Sequence, residues 1–347
     1  MNFGGFSLMA TIKDVAKLAG VSVTTVSIIM NGKSGERKIS AQTQERVQDA
    51  MRELGYQPNL TARRLRFQES KKPVIAFFWP LDYRTMILAS FLNALQVECS
   101  RIGFDCEIVV QTYEDDHLDQ YDASILKTGY SAVVIGACSL KDMKYLESLS
   151  PQMPVVLINR YSEYLSTVCT DNKMIGLMAA RQIRQKGYTE AAVFASHSAF
   201  VATTLRTQAF LDACGQIGLH VTQDSVFHGN GTIEDGYRLA TEYCQNGDRP
   251  KVIFCDSDSM ALGALRGFHD LGVELPKDVE MLSIGMLDAS LTEYSSPSLS
   301  VIEMPNKEIG AQIIRLLQKK IQENDLTPEH IELEAKLILR ESFQAAD

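Results

Sequence analysis

Apolar positions change their spacing partway along this 347-residue chain. In the first sixty residues they recur three and four apart, as Ile12, Val15, Ala16 and Ala19, then Val26, Ile29 and Met30, then Val47, Ala50, Met51 and Leu54. That period gathers each set on one face of a helix. The punctuation agrees. Thr11 with Asp14 forms a capping-box pattern and Gly20 stops the first helix; Ser22 caps a second over about Val23 to Met30, which Asn31-Gly32 ends; Ser40 caps a third through Leu54, before Gly55. From Pro73 onward the spacing gives way to continuous apolar runs, VIAFF, CEIVV, AVVIGA, VVLIN, AAVFA, VIFC and MLSIG, separated by helical stretches. Runs of this kind predict buried parallel strands with crossover helices, hence a doubly wound α/β body.

Two short helices joined by a turn as tight as Gly20-Val21-Ser22 predict a helix-turn-helix, whose second helix presents its N-terminal side chains to base edges in a DNA major groove. Val23, Thr24, Ser27 and Ile28 are the expected readers. After the third helix come the turn Tyr56-Gln57-Pro58-Asn59 and a basic segment, LTARRLRF. With the later segments FCDSDSMALGAL, ELPKDVEMLSIG, SPSLSVIEMP and LILRESF in order, the chain resembles the LacI/GalR family of bacterial transcription repressors over nearly its whole length.

That resemblance implies a small all-α head and hinge helix, then two doubly wound parallel-sheet lobes of periplasmic-binding-protein type. The expected division is a disordered extension over 1–10, the head over 11–58, hinge helix and linker over 59–72, and the effector-binding and dimerisation body over 73–347. The first lobe would take about 73–159 and 305–323, and the second about 160–290 and 329–342. The chain would cross between lobes near Asn159-Arg160, again between Leu287 and Pro305, and a third time near Asn324 to Glu329. For DNA the resemblance places Thr11, Ser22, Ser40, Thr43 and Asn59 on phosphates and Val23, Thr24 and Ile28 toward bases, with Leu65 as a minor-groove wedge. Thr25, Asn31, Tyr56, Ala62 and Arg63 complete the expected contact set. Most members carry arginine where this chain has Ile28, and isoleucine offers a base edge only apolar contact.

Ligands of such bodies sit beyond the carboxyl ends of strands, here between the lobes. Arg206 matches a family position that grips the effector, and Trp79, directly after the first strand, has a ring that could stack on a ligand or fill the core. Asn159, Arg160, Asp256 and Ser257 end strands and are secondary candidates, while Asp258 is expected to cap the following helix. Many sugar-binding members place an aspartate where this chain has Leu287, and some place an aromatic near Gly229-Asn230-Gly231. The expected effector is a small molecule, a sugar or sugar derivative; the alternatives are a non-sugar corepressor, a protein partner, or a solute-binding role without transcription.

Charge changes the picture only when divided. The chain carries a net −9, yet residues 1–72 hold 12 Lys and Arg against 6 Asp and Glu, net +6, leaving 22 against 37, net −15. A basic head binds phosphates while an acidic body stays off the duplex. Twofold operators call for a homodimer. No apolar run of about 20 residues predicts a membrane span. The opening MNFGGFSL lacks the pattern of an export signal, and seven cysteines without CxxC spacing predict reduced thiols in a cytoplasmic protein without a metal or cofactor.

Enzyme motifs fare poorly. GxSxG, GxxxxGK[ST] and HExxH are missing; Glu234 stands where a dinucleotide fingerprint starting at Gly229 needs glycine; and Ser196-His197-Ser198 is too local for a triad. No catalytic residue is assigned.

Overall fold

The computed structural model describes residues 12–30, 39–54, 72–82, 84–121, 129–197, 201–245, 247 and 249–345. They form two units divided between Lys71 and Lys72. The expected extension over 1–10 and the hinge segment over 59–71 lie outside the described residues.

The first unit holds α1 (Ile12–Ala19), α2 (Val23–Met30) and α3 (Ala41–Glu53). Val15, Ala16, Ala19, Val26, Val47 and Ala50 are buried together, with Val21, Val23, Ile29, Met51 and Leu54 around them. Gly20 takes φ +63°, a left-handed conformation that costs glycine least, and Val21 N donates to Ala16 O at 3.0 Å. Two residues then suffice to turn the chain into α2. Ser22 Oγ accepts from Thr25 N at 3.1 Å and Ser40 Oγ from Thr43 N at 3.2 Å, so both expected caps are made.

In the second unit the strands are β1 (Val74–Pro80), β2 (Glu107–Tyr113), β3 (Ala132–Gly136), β4 (Val155–Ile158), β5 (Ser166–Thr170), β6 (Ala192–Ser196), β7 (Val226–Gly229), β8 (Val252–Cys255), β9 (Glu280–Gly285), β10 (Ser300–Glu303), β11 (His330–Leu333) and β12 (Lys336–Ile338). Between them run α4 (Thr85–Ile102), α5 (Leu140–Ser148), α6 (Asn172–Gln185), α7 (Val201–Ile217), α8 (Ile233–Gln245), α9 (Asp258–Asp270), α10 (Ala289–Glu293) and α11 (Asn306–Glu323). One sheet has the order β11-β5-β4-β3-β1-β2 and the other β12-β10-β9-β8-β6-β7. Among the described residues the strand pairings are parallel except β10 with β12. Each sheet is buried on both faces, which is why its central strands read as unbroken apolar runs.

The lobe boundaries differ from the expected ones. Strand β5 pairs with β4, so the first crossing follows Thr170 and not Asn159; β11 pairs with β5, so the third falls between Leu333 and Lys336 and not at 324–329. Both strands escape an apolar scan for a physical reason. β5 reads STVCT, and its buried hydroxyls are satisfied sideways: Ser166 Oγ accepts from Glu329 N at 3.1 Å, and Thr167 Oγ1 bonds His330 Nδ1 at 3.1 Å. β11 is a sheet edge with alternating exposure. The second crossing does fall in its expected window, after β10, and α11 returns to pack its Ile309, Ile313 and Leu317 against Leu88, Phe91 and Leu95 of α4.

Lys320 of α11 is fully buried and ties this return to the chain that leads into β11. Its Nζ donates to Thr327 O and lies 3.0 Å from Glu329 and 3.8 Å from Asp325. Among the described residues no helix is long and apolar enough to cross a membrane. Replacing Lys320 by Met keeps the stem but leaves the Thr327 carbonyl without its donor and Asp325 without this cation, while Glu329 keeps Lys319 at 3.1 Å; we expect urea unfolding to show a loss of about 1–3 kcal/mol, the cost of a buried acceptor left unmet.

Candidate functional sites

In the head, α2 carries the expected readers. Ser22 and Thr24 are exposed, Thr25 and Ile28 half-buried, and Val23 half-buried against the small core, so Val23 shares its surface between core and solvent. Ser22 Oγ meets Thr25 Oγ1 at 2.9 Å, and Ser40 Oγ meets Thr43 Oγ1 at 2.9 Å. The starts of α2 and α3 thus each present a hydroxyl pair beside backbone N–H groups, an arrangement suited to a phosphate oxygen. The Ser27 side chain and Thr11, Asn31, Tyr56, Asn59, Ala62, Arg63 and Leu65 lie outside the described residues.

In the body, the order of each sheet reverses beside its first strand, between β1 and β3 in one lobe and between β6 and β8 in the other. Ligand sites form at the carboxyl ends of strands at such switch points. In the first lobe Trp79 lies within β1 rather than after it, 2% exposed, its ring 5.7 Å from both Phe77 and Phe91. A Cβ on Gly136 of β3 would come within 2.3 Å of that ring. Of the two roles left open for Trp79, the ring fills the core; its Nε1 is buried and has no hydrogen-bond partner among the described residues. Asn159 takes φ +51°, and its Oδ1 accepts from Thr170 N at 3.2 Å and Thr170 Oγ1 at 3.3 Å, joining the ends of β4 and β5. Arg160 is buried and donates to Cys138 O at 2.6 Å and Asn159 O at 2.8 Å. Arg84, which sequence reasoning passed over, is buried beyond β1, donates to Ala137 O at 2.8 Å past β3, and pairs with Asp82 and, at 3.3 Å, Asp115.

The second-lobe groups converge more closely. Arg206 of α7 is 2% exposed; its Nε donates to Asn172 Oδ1 at 2.8 Å and its Nη1 lies 3.3 Å from Met286 Sδ. Asn172 opens α6 just past the first crossing. Met286 follows β9, and its carbonyl accepts from Asn306 Nδ2 at 2.7 Å, just past the second crossing. Asp256 at the end of β8 accepts from Ser196 N, Ser196 Oγ and Thr207 Oγ1 at 2.7, 2.8 and 3.0 Å. Ser257 Oγ is buried without a hydrogen-bond partner among the described residues. Asp258 departs from its expected role: Ser257 is the N-cap of α9, and the Asp258 carboxylate reaches across to accept Met286 N and Leu287 N at 2.7 Å each, as well as Ser259 N at 3.1 Å. Leu287 is half-buried on this clamped turn.

Asn172, Met286 and Asn306 were missed because their roles depend on the third dimension; nothing in their local sequence marks them. Asp256 and Asp258 combine full burial with several donors. Burial prevails over the hydrogen bonds in both, raising each from 3.8 to about 6.

These geometries match known proteins. Residues 11–59 fit the model for bacterial regulatory proteins of the lacI family, and residues 180–343 the periplasmic binding protein-like domain. The crystal structure of a LacI family transcription regulator from Clostridium acetobutylicum is 30% identical, covers 78% of this chain and 100% of its own, and superposes with a TM-score of 0.74. This chain belongs to the LacI family. The HTH-type transcriptional repressor PurR of Mannheimia succiniciproducens is 28% identical over 340 residues, 97% of this chain and 99% of that relative. The lac repressor dimer bound to operator and an anti-inducer shares the fold, at 21% identity and a TM-score of 0.69 over 97% of this chain and 99% of its own. The LacI-family member described here is a transcriptional repressor with a helix-turn-helix head and an effector domain, and not an enzyme.

The raised carboxyls have a thermodynamic consequence. Each binds its proton more tightly folded than unfolded, so the stability it contributes is complete below about pH 4 and is lost as pH rises through about 6. A shift of about two units corresponds to roughly 3 kcal/mol per group. Asp258→Asn mimics the neutral acid at every pH. Urea unfolding at pH 4.5 and 6.5 is expected to show a smaller stability difference in the variant than in the parent; an unchanged difference would remove Asp258 as a source.

Proposed function

We propose that the protein is a homodimeric repressor that reads a near-palindromic operator through α2, its grip set by a small molecule held between the lobes. The observation that carries this reading is the position of Arg206. Its partners Asn172 and Met286 adjoin two of the three interlobe crossings, so a ligand that draws on the guanidinium also bears on the segments about which the lobes turn. The lac repressor relative, described as a dimer bound to operator and anti-inducer, supports the assembly and the partner.

On DNA, Ser22, Thr25, Ser40 and Thr43, with Thr11 and Asn59, hold phosphates. Thr24 and Ile28 face base edges with Val23, and Leu65 enters the minor groove beside Ala62 and Arg63. In the cleft, Arg206 and Leu287 touch the effector, while Asp256, Ser257, Asn159 and Arg160 fix the strand ends behind it. Leucine at 287 and the Met286 thioether beside Arg206 give this wall fewer acceptors than a sugar's hydroxyls need. The effector is therefore less hydroxylated than a free sugar.

Three outcomes are expected. Operator affinity measured by fluorescence anisotropy falls by roughly 10³ between 50 and 200 mM salt, through counterion release; salt-independent binding would refute the phosphate contacts. Ile28→Arg shifts the selected base at one half-site position toward guanine, an effect of about 1–3 kcal/mol, and an unchanged selection profile would exclude the docking. In a thermal-shift panel of sugars, sugar phosphates, nucleobases and amino acids, the stabilising ligand is not a free sugar, and Arg206→Ala loses the response; full retention would displace Arg206 from the site.

A further inference from the structure

Far along α4 from its junction with β1, two thiols face each other. Cys99 in the last turn of α4 and Cys106 just before β2 have their sulfurs 3.4 Å apart. The backbone sets the encounter. Gly103 takes φ +67°, and Phe104 N donates to Cys99 O at 2.9 Å, folding the chain back on the helix end so that residues seven apart meet. Cys99, Ser100, Gly103, Asp105 and Cys106 line a surface cavity of about 530 Å³, wide enough for a small oxidant to reach the sulfurs. The other five cysteines are also free thiols.

We propose that Cys99 and Cys106 form a reversible intramolecular disulfide, a redox modification site in the first lobe. Closing the bond requires the sulfurs to approach by about 1.4 Å, to about 2.0 Å, a movement within reach of side-chain torsions at a helix end. With hydrogen peroxide as oxidant, one thiolate attacks an oxygen, giving a sulfenic acid and, after protonation, one water. The second thiol then displaces the sulfenic hydroxyl as another water. Two thiols and one peroxide give one disulfide and two waters, the sulfurs losing two electrons and the peroxide gaining them.

Burial pushes the Cys99 thiol up to about 12 and raises Cys106 as well, with the Asp105 charge adding to the rise at Cys106. Little thiolate exists at neutral pH, so formation is slow there and accelerates roughly tenfold per pH unit. The same lack of thiolate stabilisation favours the oxidised form once made. The bond would fasten α4, whose Glu98 bonds Arg315 of α11 at 2.6 Å, to β2 at the free edge of the sheet.

The test treats the reduced full-length protein with peroxide at pH 7, 8 and 9, followed by intact mass and non-reducing peptide mapping. The expected product is about 2 Da lighter, carries a Cys99–Cys106 linked peptide that dithiothreitol reverses, and forms faster at each higher pH. Cys99→Ser and Cys106→Ser each abolish the linked peptide, whereas Cys244→Ser retains it. If both thiols still alkylate after exhaustive oxidation at pH 9, or if either is found joined to another cysteine or another chain, the proposal is overturned.

Discussion

The turn after β9 is held by one carboxylate, and the arrangement of the effector domain depends on it. Asp258 receives the N–H groups of both Met286 and Leu287, which would otherwise be buried or half-buried donors at a strand end. With the turn fixed, the Met286 carbonyl is placed to accept from Asn306 and its sulfur to meet Arg206, while Met304 N bonds Gly285 O at 2.8 Å. A single backbone segment therefore anchors the second crossing and positions the candidate ligand-gripping arginine. Thr170 Oγ1, at the first crossing, lies 3.9 Å from Met304 Sδ, so the two crossings run side by side. Packed segments of this kind rearrange between discrete states rather than deforming continuously.

The head and body divide the electrostatic work. The basic head presents hydroxyl pairs at two helix starts, and its small core of valines and alanines needs only to hold three helices in place. The acidic body builds its own sites from strand ends. At both proposed sites this chain sets an aliphatic side chain where the resemblance implies a charged one, Ile28 on α2 and Leu287 after β9. Under the proposed function, each exchange would trade a directional hydrogen bond for apolar contact and so shift the preferred partner without altering the scaffold.

Helix periodicity and caps made the head legible, since Gly20, Ser22 and Ser40 act within a few residues of themselves. Six of the seven apolar runs of the body were legible for the same local reason, each being buried in the middle of its sheet, and the seventh, β2, is a half-buried edge strand whose β-branched residues still mark it. β5 was not, because its burial is made tolerable by hydroxyl bonds to residues some 160 positions away. Arg206 could be singled out from the resemblance, but its partners Asn172 and Met286 could not. Trp79 shows the converse: one aromatic at a strand end fits core and ligand roles equally on paper, and only Phe77, Phe91 and Gly136 decide between them.

The central claim is that cleft occupancy and operator binding are coupled through the lobe crossings, and coupling of that kind is reciprocal. Titration calorimetry of the stabilising ligand, with and without saturating operator duplex, tests it most directly. The account predicts that operator changes the ligand Kd by the same factor by which ligand changes the operator Kd, about 5-fold to 150-fold. An identical ligand Kd in the presence and absence of operator would contradict it.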